Sequence, residues 1–205
     1  MAEGYDDDDH RAAELADFLA RHPKTLVLTG AGLSTASGIP DYRDRDGVRR
    51  GRLPIQGPEF RRLAAVQRRY WARSMIGWPV LAQARPNAGH AALAALEAAG
   101  RIQSILTQNV DGLHAQAGSR AVLELHGNIH SVHCLACGTR VPRALVQTQL
   151  AALNPQVAQA EAKPLPDGDA QVEPEFLDDF VLPACAQCGG DAVAVSFSSV
   201  TLSSA

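Results

Sequence analysis

The sequence predicts an α/β fold: a parallel sheet flanked by helices, with a small metal-binding module attached. Three observations predict it. Short apolar runs at Lys24–Thr29, Ile102–Thr107 and Val122–His126 alternate with stretches of helical periodicity, the pattern that builds parallel sheets. The first run passes at once into Gly30-Ala31-Gly32, the strand-to-glycine-turn opening of a dinucleotide-binding fold. Four cysteines fall into two C-x-x-C pairs, each followed by glycine.

Each element follows from its residues. In residues 11–21, Leu15, Phe18 and Leu19 share one helical face. Lys24–Thr29 reads as a buried parallel strand. After the glycine turn, Ser34, Ser37 and Gly38 lie where a helix begins. A helix N-terminus presents free N–H groups to phosphate, and glycines let the backbone come close. Residues 41–85 are rich in arginine and aromatics, with an irregular loop before a helix near 59–75. Arg61, Arg62, Arg68 and Arg69 read as a solvated helical face. From Pro86 the chain enters a helix packed through Ala91, Leu93, Leu96 and Ala99 and stopped at Gly100. Gln108-Asn109-Val110-Asp111 then sits at the C-terminal edge of the second strand, where open α/β sheets bind ligands. The third strand ends in His126 and Gly127. Residues 144–153 read as a helix and 162–175 as an exposed loop.

Composition bounds the rest. The chain has 205 residues, 46% of them hydrophobic and 20% charged, with a net charge of −3. That excludes a disordered chain and argues against direct nucleic-acid binding. No uninterrupted apolar run reaches membrane-spanning length, so no membrane association is expected. The acidic start lacks the order of a signal peptide, so a cytoplasmic location is expected.

The pairs Cys134/Cys137 and Cys185/Cys188 each form a zinc knuckle, a turn that aims two thiolates at one ion. Two disulfides or free core thiols are the alternatives. A reducing compartment disfavours the first, and the paired spacing disfavours the second. Together the knuckles make a closed, structural four-thiolate zinc site. The long separation between them implies a small domain over 131–190, beside a Rossmann-like domain over 11–130 in which 41–85 is a mobile cofactor-loop insert.

These motifs resemble the sirtuin family of NAD-dependent protein-lysine deacylases. The likeness rests on Thr29-Gly-Ala-Gly-Leu-Ser-Thr-Ala-Ser-Gly-Ile-Pro-Asp-Tyr-Arg43, Pro86-Asn-x-x-His90, Thr107-Gln-Asn-Val-Asp-Gly-Leu-His114, Leu125-His-Gly127 and the two knuckles, in that order. It covers roughly residues 12–190. The resemblance implies two cofactors, NAD and zinc, and a reaction at protein acyl-lysines. The acyl amide oxygen attacks C1′ of the nicotinamide ribose, nicotinamide leaves, a base takes a ribose hydroxyl proton, and the acyl group passes to ADP-ribose. His126 matches the base, a role suited to imidazole. Asn109 matches the residue that orients ribose and a water. Asp111 matches the nicotinamide carboxylate, able to accept from a carboxamide, and Gln108 borders that pocket. Gly30, Ala31, Gly32 and Ser34 would line phosphates and ribose. Ile39, Pro40 and Asp41 would wall the nicotinamide, with Tyr42 and Arg43 as a cover. Of the other histidines, His10, His22 and His114 read as surface or core residues and His90 as a helix cap. His130 and His133 lie beside a zinc shell already filled by thiolates.

Residues 191–205 depart from the family pattern, lacking the Phe-Gly-Asp segment and the later glycine loop. The reading is a divergent, truncated tail, a sheet incomplete on its C-terminal side and a chain with little or no deacylase activity of its own. A one-base frame shift through Phe197–Ser203 is compatible with Leu-Phe-Gly-Asp-Ala-Val. The alternatives to a deacylase are a non-catalytic zinc-binding remnant and a mono-ADP-ribosyltransferase. Acyl preference and oligomeric state are not legible.

Overall fold

The structure, a computed structural model, describes residues 3–41, 46, 48, 55, 57–158, 175–190 and 193–196. Its first sheet holds β1 (Thr25–Thr29), β2 (Ile102–Thr107) and β3 (Val122–Glu124), all parallel, in that spatial order. The register sets Thr29 beside Thr107 and Thr107 beside Glu124. All three strands therefore end at one edge, and the loops after them leave side by side. Glu97 of α4 (Ala88–Ala98) anchors the entry to β3 by accepting the backbone N–H groups of Arg120 and Ala121 at 3.1 and 2.7 Å.

Among the described residues, the sheet is covered on one face only. Ile105 is fully buried, while Leu26 and Leu28 of β1 and Leu123 of β3 are 57%, 62% and 49% exposed. Parallel pairing lines up Leu28, Leu106 and Leu123 on that open side. This corrects the expectation of a buried first strand. The apolar run is a parallel strand, but apolar sequence does not say whether both faces are covered. The helix predicted at 11–21 belongs to α1 (Glu3–Arg21), and its apolar face is also open, with Leu15 and Phe18 exposed.

The helix expected after the glycine turn is a short 3₁₀ helix, Ala31–Ser37. Gly38 closes it at φ +83°, a left-handed conformation that favours glycine. The single helix predicted near 59–75 is two, α2 (Gly57–Arg62) and α3 (Ala64–Gln83), split at Leu63, whose backbone is extended. α3 runs on past Gly77 and Pro79. Pro79 has no N–H to offer the Met75 carbonyl four residues back. Gln147 fills that gap, its Nε2 donating to the Met75 carbonyl at 2.7 Å. His90 caps α4 as predicted, its Nδ1 accepting the Asn87 N–H, and Asn87 completes the box by accepting from the N–H groups of Gly89 and His90. Ala91 and Ala99, however, are exposed rather than packed, and α4 rests on Leu93 and Leu96. The third strand stops at Glu124, so His126 lies in a turn and not in the strand.

A second sheet, antiparallel in the order β5-β4-β6, carries the cysteines. It comprises β4 (Asn128–Cys134), β5 (Arg140–Pro142) and β6 (Val193–Ser196). Residues 193–196, read from sequence as part of a separate tail, are therefore a strand of this sheet. α6 (Arg143–Leu153), close to its predicted bounds, and the short α7 (Pro155–Ala158) pack with it. Val132, Val146, Leu150 and Val157 share a core with Trp71, Ala72 and Met75 of α3. Asn154, fully buried, ties the returning chain down by accepting from the Val181 N–H and donating to the Leu150 and Val181 carbonyls. The predicted loop at 162–175 lies outside the described residues except at Glu175, which opens α8 (Glu175–Asp178). Among the described residues no helix is long and apolar enough to cross a membrane.

Candidate functional site

The site gathers at the common C-terminal edge of β1, β2 and β3. From β1 the chain turns through Gly30, whose backbone (φ −141°) is extended and open to any residue. Space, not conformation, is what glycine provides there: a Cβ at Gly30 or Gly32 meets no atom within 4 Å. The turn thus presents bare backbone to an open cradle, as a phosphate-binding turn requires.

From β2 come Asn109 and Asp111, both buried. Asn109 is pinned from two sides. Its N–H donates to Thr107 Oγ1 at 3.1 Å, and its Nδ2 donates to the Gly30 carbonyl and to Ser34 Oγ, each at 3.0 Å. Ser34, 1% exposed, donates a hydrogen bond from its hydroxyl to Asp111 Oδ2 at 2.7 Å. The other carboxylate oxygen accepts the Leu113 N–H at 2.9 Å, capping α5 (Leu113–Gln116). Ser34, Asn109 and Asp111 are therefore one hydrogen-bonded unit assembled from two loops. A buried carboxylate held this way keeps its orientation and has acceptor capacity to spare.

Around this unit the expected residues fall as follows. Ile39 is buried, Pro40 and Asp41 are half-buried, and Ala31 lies at the start of the 3₁₀ helix. Gln108 is exposed, its N–H donating to the Thr29 carbonyl at 3.0 Å. Tyr42 and Arg43 lie outside the described residues. His126 is exposed in the turn after β3, and that turn is closed by Gly127 at φ +86°. Because Leu125 N–H donates to the Thr107 carbonyl at 2.8 Å, the His126 turn leaves the sheet next to the Asn109 loop.

Sequence reasoning missed several supports. His114, read as an ordinary surface or core histidine, is 2% exposed and bonds Thr29 Oγ1 through Nε2 at 2.9 Å. Its ring meets that of His90, also buried, with centroids 5.0 Å apart. Burial lowers both imidazole pKa values, against a smaller upward pull from Asp111. His130, placed by sequence beside the knuckle, donates from Nε2 to the Asp111 carbonyl at 2.8 Å. Glu124, half-buried, accepts from Asn128 Nδ2 at 2.6 Å, and burial raises its pKa. The spacing of Asn128 and His130 along β4, which turns both toward Gly112, was the only available signal.

Cys134, Cys137, Cys185 and Cys188 converge, with all four sulfurs within 4.8 Å of one another. They are free thiols, and the Cys134–Cys188 and Cys137–Cys185 sulfurs are 3.7 and 3.8 Å apart. Disulfide bonds would need about 2.05 Å. Tetrahedral zinc with bonds of about 2.3 Å sets its sulfurs about 3.8 Å apart. The donor set fits zinc, and among the described residues no other cluster of metal-binding side chains occurs. Hydrogen bonding from Thr139 favours the Cys137 thiolate, the form that binds metal.

A model of the Sir2 family matches residues 30–197. The chain belongs to the Sir2 family. This sirtuin is 49% identical over 185 residues to NAD-dependent protein deacetylase 3 of Pseudomonas syringae pv. tomato, covering 89% of this chain and 66% of that one. It is 49% identical over 181 residues to NAD-dependent protein deacylase Sirt4 of Drosophila melanogaster, covering 86% and 58%. Its fold matches that of a Sir2 complex with p53 peptide and NAD+ at a TM-score of 0.65 and 29% identity, over 90% of this chain and 62% of that one. The chain therefore spans between 58% and 66% of the length of these relatives.

Proposed function

We propose that this sirtuin is an NAD-dependent protein-lysine deacylase. In this reading it transfers the acyl group to ADP-ribose and releases nicotinamide. The observation that carries the reading is the buried Ser34–Asn109–Asp111 unit bonded to the open Gly30 turn. A relative with this activity in its name and a matching complex with peptide and NAD+ support it.

The residues divide the work by their surroundings. Asp111 accepts the nicotinamide carboxamide, and Ser34 keeps it from rotating. Asn109 orients the ribose from a fixed position. Gly30, Ala31 and Gly32 let the backbone approach phosphate. Ile39, Pro40 and Asp41 wall the pocket, bordered by Gln108. NAD supplies the activated glycosidic carbon. His126, in its exposed turn, takes the ribose proton as general base. The zinc site stands apart as a closed thiolate set, so zinc holds structure and takes no part in the chemistry. Acylated lysines of proteins are the substrates in this reading, and the four free thiols fit a reducing, cytoplasmic setting.

Release of labelled nicotinamide from NAD by the zinc-loaded protein tests the proposal. Release that depends on an acetyl-lysine peptide and disappears in His126→Ala is expected. Zinc binding without peptide-dependent release would leave the chain a non-catalytic zinc module. Release with ADP-ribose attached to protein would make it an ADP-ribosyltransferase.

A further inference from the structure

Arg143 is 0% exposed, yet it carries a charge the proposed chemistry does not use. It is the first residue of α6, directly after β5 of the zinc-binding sheet. Its guanidinium enters a slot on α3 made by Trp71, Ser74 and Trp78, spaced three and four apart on one helical face. The guanidinium carbon lies 5.0 Å from the Trp71 ring centroid and 4.9 Å from that of Trp78. Nη2 donates to the Ser74 carbonyl and hydroxyl, each at 3.3 Å, while Nε and Nη1 make no hydrogen bond. Two indole faces thus stand where a buried cation usually finds a carboxylate.

The slot is a seam between two cores. Trp71 belongs to the core that holds Val132, Val146 and Leu150 of the zinc-binding module. Trp78 packs against the other, with Ile39, Leu113 and Ile129. Trp78 also meets the His130 ring edge-on, centroids 6.5 Å apart at 69°. His130 in turn donates to the Asp111 carbonyl. There is little slack at this end: a Cβ at Gly112 would lie 3.3 Å from His130 Cδ2. Trp78 is thus a neighbour of His130, and His130 is bonded directly to the Asp111 backbone.

We propose that Arg143 is a positioning residue of the nicotinamide pocket, holding Trp78 against His130 and thereby linking the zinc-binding module to Asp111. Naming that pocket rests on the deacylase reading, whereas the contact chain from Arg143 to Asp111 does not.

Arg143→Met and Arg143→Lys test the proposal. Methionine keeps an apolar stem between the indoles without charge or donors. Lysine keeps the charge and loses the planar fork. Gln147 still holds α6 on α3 in both, through its bond to the Met75 carbonyl. Metal content and thermal melting establish that each variant is folded. The chain's two tryptophans, Trp71 and Trp78, both flank Arg143, so indole emission reports on the slot itself. Imidazole ¹⁵N shifts report whether His130 still donates from Nε2. Nicotinamide affinity reports the pocket.

In zinc-loaded Arg143→Met we expect shifted indole emission, a His130 no longer locked as the Nε2–H donor, and nicotinamide affinity weakened about fivefold, the scale of coupling through packed side chains. Arg143→Lys should recover part of each change. Trp78→Phe should weaken nicotinamide binding similarly and add little to Arg143→Met. An unchanged His130 signal in folded Arg143→Met overturns the proposal, since Arg143 would then only fill space. If Arg143→Met does not fold, the His130 signal of Arg143→Lys decides in the same way. If the wild type itself does not bind nicotinamide, the deacylase reading fails, and the His130 signal still decides the role of Arg143.

Discussion

Ser34 and Asp111, 77 residues apart in sequence, share a buried hydrogen bond of 2.7 Å that joins the glycine turn to the second loop of the site. Ser34 Oγ also accepts from Asn109, so one hydroxyl fixes two of the proposed nicotinamide and ribose contacts. Ser34→Ala leaves a buried carboxylate oxygen and an amide proton short of a partner. It should lower stability by about 1–3 kcal/mol and weaken nicotinamide binding as well. Urea unfolding and nicotinamide titration check both, and a stable variant with unchanged affinity would show the unit to be incidental.

The cysteine cluster should hold one zinc ion per chain. Metal analysis of reduced protein checks the stoichiometry. Cys185→Ser should remove the metal and lower the melting temperature far more than a surface change does, because binding energy at a structural zinc site is folding energy. Asn154→Ala should weaken zinc retention without touching a ligand, since Asn154 positions Val181 on the approach to the second knuckle.

Acid should destabilise the site through His90 and His114. Burial lowers both pKa values in the folded state, so the unfolded chain binds protons first as pH falls below about 6.5. The stability these neutral imidazoles contribute is complete above that pH and is lost as pH drops toward their folded values. The limiting slope is about 1.4 kcal/mol per pH unit for each proton taken up. Glu124 opposes this, because its raised pKa favours the folded state at acid pH and that contribution fades as pH climbs from about 4.5. Replacing His114 by Asn should flatten the acid limb of a stability-against-pH curve.

Pro79 and Gln147 should be energetically coupled. Gln147→Ala strands the Met75 carbonyl and should cost about 1–3 kcal/mol. In a Pro79→Ala background residue 79 regains an N–H for that carbonyl, so the same change should cost markedly less. A double-mutant cycle of unfolding free energies measures the difference, and strict additivity would mean the two residues act independently.

What the sequence revealed and what it hid divide along the range of the interactions. The Gly30 turn, the Asn109–Asp111 loop and the cysteine pairs were legible because each is a short run whose chemistry depends on its own spacing. The capping role of His90 on α4 was legible for the same reason, whereas Asn87's part in it was not read. Arg143 was not: nothing near it in sequence tells of the two indoles on α3. The continuation of α3 through Pro79 was hidden too, because the partner of the Met75 carbonyl lies on a different helix. Leu26 and Leu28 looked like core residues, yet apolar character alone does not specify what packs on them. Tyr42 and Arg43 remain sequence expectations.

The most direct test of the central claim is a balance of products from zinc-loaded protein, NAD and an acetyl-lysine peptide. The account predicts nicotinamide, deacetylated peptide and acetyl-ADP-ribose in equal amounts, all abolished by His126→Ala. Free acetate formed without NAD would contradict it.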